Sequence, residues 1–449
     1  MERSGDIAVT GMGLVSPLGP DKESSFEAML RGESGIALLE PQRKYKGLGT
    51  RIGGQLKGFR PEDHFSAFAR LQTHRSTQMA EVVVRQAIKD AGFEIGKRGV
   101  FAPDRKKSLI SGTSVGGMVG LPSEEWVLAR AHYEEWSRAA SMSTLRSLPE
   151  RSATYPAMEH GITGPVKQES GACATFALVL SEAEFRLNYR YTRNGLDEND
   201  PDATDADLII VVGTDAGISP LMIRSFNVLG GKEGALSRRN DDPEGASRPY
   251  DQYADGFVPA EMAAALLLEP RELAEARGAH IYALYLGGAD TCDADRATAV
   301  NSNRLADTYR LTLRRSGIII AKRIDIAFNA HATSTLPGDK GEATAVKIAF
   351  GDKAKDIPIS AMKGYFGHGL GPCAGGEIVM GLMAMEKQIV IANRNLHNRI
   401  PEAEGLFLVE PELVDGELRY YRPWKYDVML KASSGFGGIN SVHAFRLYQ

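Results

Sequence analysis

Residues 305–335 read LADTYRLTLRRSGIIIAKRIDIAFNAHATST. Residues 305–316 have the pattern of a helix that stops at Gly317, and residues 324–328 form a short strand that runs into the polar loop Asn329-Ala330-His331-Ala332-Thr333-Ser334-Thr335. The same grammar occurs earlier in the chain. Residues 79–92 place Ala80, Val83, Val84, Ala87, Ile88 and Ala91 on one helical face, with Gly92 as a natural C-cap. Residues 108–111 then read as a buried strand feeding the loop Gly112-Thr113-Ser114-Val115-Gly116-Gly117. A repeated helix, strand and glycine-containing loop predicts two related α/β halves. Further buried strands are expected at 208–212, 263–268, 281–286 and 428–430, alternating with helical stretches as in layered α/β folds. The break between halves is placed near residues 270–279, dividing the chain into residues 1–272 and 273–449. Residues 194–207, crowded with Asp, Asn and Gly, are expected to form an exposed loop.

At 449 residues the chain is too long for one ordinary core. Its 53 Lys and Arg nearly balance its 57 Asp and Glu, so net charge announces no polyanion and nucleic acid is not an expected partner. No apolar run approaches the roughly 18 residues of a membrane span. The acidic N-terminal residues do not fit a secretory signal, and a cytoplasmic location is expected. Three cysteines, Cys173, Cys292 and Cys373, lack Cys-x-x-Cys spacing, which argues against a disulfide framework and a structural zinc site.

Chemistry is concentrated in four segments. Cys173 lies in Glu169-Ser170-Gly171-Ala172-Cys173-Ala174-Thr175-Phe176, where small residues allow a tight turn into a helix. A thiol at a helix N-terminus is expected to have a lowered pKa and to serve as a nucleophile; the plain alternative is a packed core cysteine. His331 follows a strand at the carboxyl edge of a sheet, where ligands gather. His368 sits in Lys363-Gly364-Tyr365-Phe366-Gly367-His368-Gly369, whose glycines are expected to let the backbone approach a substrate. For either histidine alone a structural hydrogen-bonding role is an equal reading. Cys373 is a rival nucleophile at a second helix start. Ser433-Ser434-Gly435-Phe436-Gly437-Gly438-Ile439-Asn440 is a strand followed by glycines, a shape suited to presenting backbone N–H groups to an oxyanion, or simply a turn.

In order, these segments resemble the β-ketoacyl-ACP synthase family, in particular its elongating synthases I and II. The likeness spans nearly the whole chain, from residues 7–19 (IAVTGMGLVSPLG) through Arg248-Pro249-Tyr250-Asp251, Asp255-Gly256-Phe257-Val258 and residues 331–342 (HATSTLPGDKGE) to Gly435–Asn440. The resemblance implies a five-layered α-β-α-β-α thiolase fold, a homodimer or a heterodimer with a second ketosynthase-like chain, and an acyl carrier protein whose phosphopantetheine bears the substrate. It implies Cys173 as nucleophile, His331 and His368 as catalytic histidines, and Lys363 paired with Glu342 to hold them. Backbone N–H groups of Cys173 and Phe436 would form the oxyanion hole, with Phe436 also gating the acyl pocket, while Thr333 and Thr335 would hold the phosphopantetheine arm. No cofactor is implied, although a structural Na or K ion near Asn329 and Glu377 fits the resemblance.

The chain departs from the family pattern at Gly171, Ala332, Pro259-Ala260-Glu261-Met262 and Ile439, and carries Trp126, Tyr133 and Trp136 in a segment that elsewhere shapes the acyl pocket. Those aromatics are read either as recognising an unusual acyl group or as burying an interface helix. The departures tilt the expectation from housekeeping fatty acid synthesis toward a dedicated type II polyketide or polyene pathway. Two alternatives stand beside it: an acyltransferase acting on coenzyme A thioesters, and a non-catalytic partner subunit resembling a chain-length factor.

Overall fold

The structure is a computed structural model that describes residues 6–96, 99–115, 143–192, 206–229, 234–295, 298, 300–320 and 325–449. The segment holding Trp126, Tyr133 and Trp136, the tip Gly116-Gly117 and nearly all of the loop expected at 194–207 lie outside the described residues. Ten strands build the central sheet: β1 (Ile7–Val15), β2 (Lys107–Gly112), β3 (Val166–Glu169), β4 (Leu208–Ala216), β5 (Glu261–Pro270), β6 (Ala283–Cys292), β7 (Ile326–Asn329), β8 (Ile359–Ser360), β9 (Val428–Gly435) and β10 (Ile439–Leu447). Five helices matter most: α1 (Arg75–Asp90), α2 (Thr175–Thr192), α3 (Ser302–Arg315), α4 (Leu336–Phe350) and α5 (Cys373–Glu386).

The sheet order is β8-β7-β9-β10-β6-β1-β5-β4-β2-β3, and its two halves repeat one pairing scheme. Outward from the seam, β1 pairs antiparallel with β5, β5 antiparallel with β4, and β4, β2 and β3 run parallel. On the other side β6 pairs antiparallel with β10, β10 antiparallel with β9, and β9, β7 and β8 run parallel. The seam is the short antiparallel contact of Ile7–Val9 with Ala283–Tyr285.

Helices α2 and α5 pack on each other, and each touches strands of both halves, so the sheet folds around them as a central layer. Helix α1 covers β1, β4 and β5 from outside, whereas α3, backed by α4, covers β6 and β10. The layer order is therefore α-β-α-β-α. Phe176, Leu180, Val211, Leu266, Ile378 and Phe445 belong to the core formed around the central helices; their burial, at about 25 cal/mol per Å² of apolar surface, is the main force holding the layers together.

The repeated grammar has a physical basis in the caps. Helix α1 ends where Gly92 takes φ +79° and Phe93 N donates to Ile88 O at 3.1 Å. Helix α3 ends in the same way, with Gly317 at φ +66° and Ile318 N donating to Leu313 O at 2.9 Å. Both use the left-handed C-terminal turn that glycine adopts without strain. The strands expected at 208–212 and 428–430 run on to Ala216 and Gly435, because polar residues at their ends, Asp215 and Ser433, are buried rather than turned to solvent. Among the described residues, no helix is long and apolar enough to cross a membrane.

Candidate active site

Cys173 stands at the entry to α2, the first central helix. The preceding Ala172 has φ +50°, and the turn is locked by Thr175, whose hydroxyl donates to Ala172 O at 2.6 Å and accepts from Gly171 N at 2.9 Å. A methyl on Gly171 would meet Leu178 Cδ1, the far end of a flexible side chain, at 2.3 Å. Opposite lies the turn between β9 and β10. A methyl on Gly435 would stand 2.6 Å from Gly171 O and 3.3 Å from Cys173 N, so the segment carrying Phe436 is seated directly on the cysteine backbone. Gly437 and Gly438 complete that turn with φ +89° and +78°.

His331 leaves β7 on a loop fixed by two carboxylates of α4. Glu342 accepts from the backbone N–H of His331 and of Ala332, each at 2.7 Å, and from the Tyr250 hydroxyl at 2.9 Å. Asp339 accepts from Thr333 N at 2.9 Å and Tyr250 N at 2.8 Å. Thr333 and Thr335 share a hydroxyl–hydroxyl hydrogen bond of 2.9 Å at the start of that helix.

His368 is held by its backbone, donating to Val258 O at 2.7 Å and accepting from Ala260 N at 2.9 Å. Its flanking glycines allow close packing here: a methyl on Gly367 would meet Val258 O at 2.7 Å, and one on Gly369 would meet Met262 Cβ at 2.8 Å. Both imidazole nitrogens of His368 are buried without a hydrogen-bond partner among the described residues. Phe257 packs its ring edge-on against His368, with centroids 5.3 Å apart.

Lys363 does not pair with Glu342, as expected from sequence. Its Nζ lies 2.7 Å from Glu377 Oε1 and donates to the His331 carbonyl at 2.5 Å. Glu342 is already engaged by two backbone N–H groups and a tyrosine, whereas Glu377 points from α5 into the same buried space.

Cys173, His331, His368, Thr333, Thr335 and Phe436 all line one pocket of about 390 Å³. Phe436 is partly exposed at its mouth. Burial and the neighbouring Lys363 charge hold both histidines well below their ordinary range, so both are neutral at pH 7. The Cys173 thiol is not lowered by its helix as expected. Burial, reinforced by the neighbouring Cys373 thiol, pushes it up to about 12. A thiolate in this enclosed position has lost its water. At rest Cys173 is a thiol.

Sequence reading missed Asp215, which is fully buried at the end of β4. It accepts from Thr113 Oγ1, Ser114 Oγ and Gly371 N at 2.6, 2.7 and 2.9 Å, tying the loop after β2 to the approach to α5. Lys431, fully buried in β9, was missed as well. The Asp and the Lys each end or interrupt an apolar run, which marks a strand boundary as readily as a buried charge. The Tyr250 role had a signal in the Arg248-Pro249-Tyr250-Asp251 segment.

A thiol at a helix entry, two neutral imidazoles and a glycine turn thus meet at one pocket on a doubled α/β scaffold. The chain belongs to the beta-ketoacyl synthase family: the N-terminal domain of that family matches residues 4–188 and 202–274, and its C-terminal domain residues 282–397. It is 32% identical to 3-oxoacyl-[acyl-carrier-protein] synthase I, chloroplastic, of Arabidopsis thaliana, over 99% of this chain and 87% of that protein. It is 30% identical to 3-oxoacyl-[acyl-carrier-protein] synthase 2 of Staphylococcus aureus (strain COL), over the full length of both. Among solved structures, a type II PKS ketosynthase bound to the hexaketide and in complex with its acyl-carrier protein superposes with a TM-score of 0.81 at 26% identity, covering 99% of this chain and 100% of that one.

Proposed function

We propose that this chain is an elongating β-ketoacyl-ACP synthase that joins a malonyl unit to an acyl chain held on Cys173. The observation that carries this reading is the shared pocket, which Cys173 lines together with two neutral histidines and in which both ring nitrogens of His368 lack partners among the described residues. In the first half-reaction Sγ of Cys173 attacks the acyl thioester of a carrier protein. The phosphopantetheine sulfur leaves and takes up the proton that the thiol gives away, with a neutral imidazole available as the relay.

Malonyl carrier then enters, its arm held by Thr333 and Thr335. His331 and His368 donate hydrogen bonds to the thioester oxygen, so the bond to the carboxylate breaks, carbon dioxide departs and an enolate remains. The enolate carbon attacks the acyl-Cys173 carbonyl. The tetrahedral oxyanion is received by the backbone N–H groups of Cys173 and Phe436, a reading supported by the close approach of Gly435 to the Gly171 and Cys173 backbone. Collapse expels the Cys173 sulfur, which recovers a proton. Lys363 and Glu342 act as positioning residues. Every step uses protein groups, and the phosphopantetheine belongs to the substrate.

An acyl carrier protein is the natural partner and a homodimer the natural assembly, in a cytoplasmic setting. The departures at Gly171, Ala332 and Ile439, together with the likeness to a type II PKS ketosynthase, favour a dedicated polyketide or polyene pathway over housekeeping synthesis. The test is a single-turnover reaction of acyl-primed enzyme with labelled malonyl carrier. One 3-oxoacyl carrier is expected per carbon dioxide released; release of carbon dioxide with acetyl carrier as the only product would refute the condensing role.

A further inference from the structure

Behind the histidines lies an oxygen cage. Glu377 Oε2, the Ala330 carbonyl and the Ala432 carbonyl converge on one point between β7, β9 and α5. Lys431 Nζ stands there, 2.8, 3.2 and 2.7 Å from them. Lys431 pairs in register with Asn329 of the adjacent strand. Ser433, two residues further along β9, projects from the same face. Asn329 Oδ1 and Ser433 Oγ are buried with no hydrogen-bond partner among the described residues.

A carboxylate and backbone carbonyls are the donor set of a hard cation. The Na or K ion expected near Asn329 and Glu377 does not fit this chain, because an ammonium already fills the position at the free carboxylate oxygen. We propose that Lys431 is a tethered cation that replaces a bound alkali metal and positions the catalytic loop. Glu377 lies between two lysines, Lys363 on Oε1 and Lys431 on Oε2. Those lysines hold consecutive carbonyls: Lys363 binds that of His331 and Lys431 that of Ala330. The peptide carrying the first histidine is thus clamped from both ends by one buried charge network. Two ammoniums on one carboxylate also leave positive charge behind the imidazoles, which favours their neutral forms.

The test compares the full-length protein with Lys431→Ala and Lys431→Gln, in potassium, sodium and tetramethylammonium chloride at equal ionic strength. Thermal unfolding and malonyl decarboxylation are both followed. The unsubstituted protein is expected to behave alike in all three salts. Lys431→Ala opens space for an ion, and in tetramethylammonium it should melt lower and decarboxylate about 10-fold more slowly, as loss of a supporting contact behind a reactive group costs. Potassium or sodium should restore both in a saturable way. Lys431→Gln keeps a donor for the two carbonyls and most of the bulk but lacks the charge, so it carries the test if the alanine variant does not fold, and should melt lower than the unsubstituted protein and decarboxylate more slowly in all three salts. Saturable stabilisation of the unsubstituted protein by an alkali ion would overturn the proposal, as would a Lys431→Gln variant that melts and decarboxylates like the unsubstituted protein. The decarboxylation arm rests on the proposed function. The melting arm does not, so failure of one reading is distinguishable from failure of the other.

Discussion

The imidazole rings of His331 and His368 stand edge to face, with centroids 5.7 Å apart and planes at 84°. In the proposed mechanism each ring offers one N–H to the thioester oxygen, where the enolate develops. His331→Ala and His368→Ala are each expected to slow malonyl decarboxylation by about 10²- to 10³-fold, the usual cost of one oxyanion donor. Cys173→Ala should abolish condensation and retain decarboxylation. Carbon dioxide release measured alongside product formation checks this, and equal loss of both activities in all three variants would refute the division of labour.

Lys363 and Glu377 form a fully buried pair, while Glu342 serves backbone N–H groups. Lys363→Met should cost about 3–5 kcal/mol, since it strands part of the Glu377 charge. In double-mutant cycles measured by denaturant unfolding, Lys363→Met and Glu377→Gln should couple by more than about 1 kcal/mol, and Lys363→Met with Glu342→Gln by less than about 0.5 kcal/mol. The reverse order would restore Glu342 as the partner.

Gly435→Ala inserts a methyl into the contact with Gly171 and Cys173. Displacing the Phe436 segment by about 1 Å should lower acyl transfer to Cys173 by about 10²-fold. Far-ultraviolet circular dichroism should stay unchanged, because the strand ends at this turn. An active Gly435→Ala enzyme would show that the oxyanion site lies elsewhere.

His368 is buried neutral, with its folded pKa depressed by burial and the Lys363 charge. Between that depressed value and about 6.5 the unfolded chain binds a proton that the folded chain does not. Stability from this group is therefore complete above pH 6.5 and falls as the solution is acidified, by up to about 1.4 kcal/mol per pH unit. His368→Gln should remove one proton's worth of this slope in denaturant titrations between pH 6.5 and 5. An unchanged slope would mean that the imidazole is charged in the fold.

Cys173, His331 and His368 each sit at a junction that leaves a local mark (a small-residue turn, a strand end before hydroxyls, a glycine-flanked loop), yet each mark alone left a structural reading open; the family resemblance joined the three, and the structure brings them to one pocket. The two-half architecture was legible from repeated glycine caps. What could not be read was the charge network beneath. Lys431 interrupts an apolar strand and resembles its end, and the partner of Lys363 depends on α5 packing against β9, a contact with no trace in local spacing. The elevated Cys173 pKa also depends on tertiary burial, which a helix-entry argument omits.

Intact-protein mass spectrometry after incubation with a panel of acyl carrier proteins, followed by peptide mapping, locates the acyl group on the chain. One stable acyl adduct per chain is expected, mapped to Cys173 and absent in Cys173→Ala. Acylation at Cys373 instead, or no adduct with any donor, would contradict it.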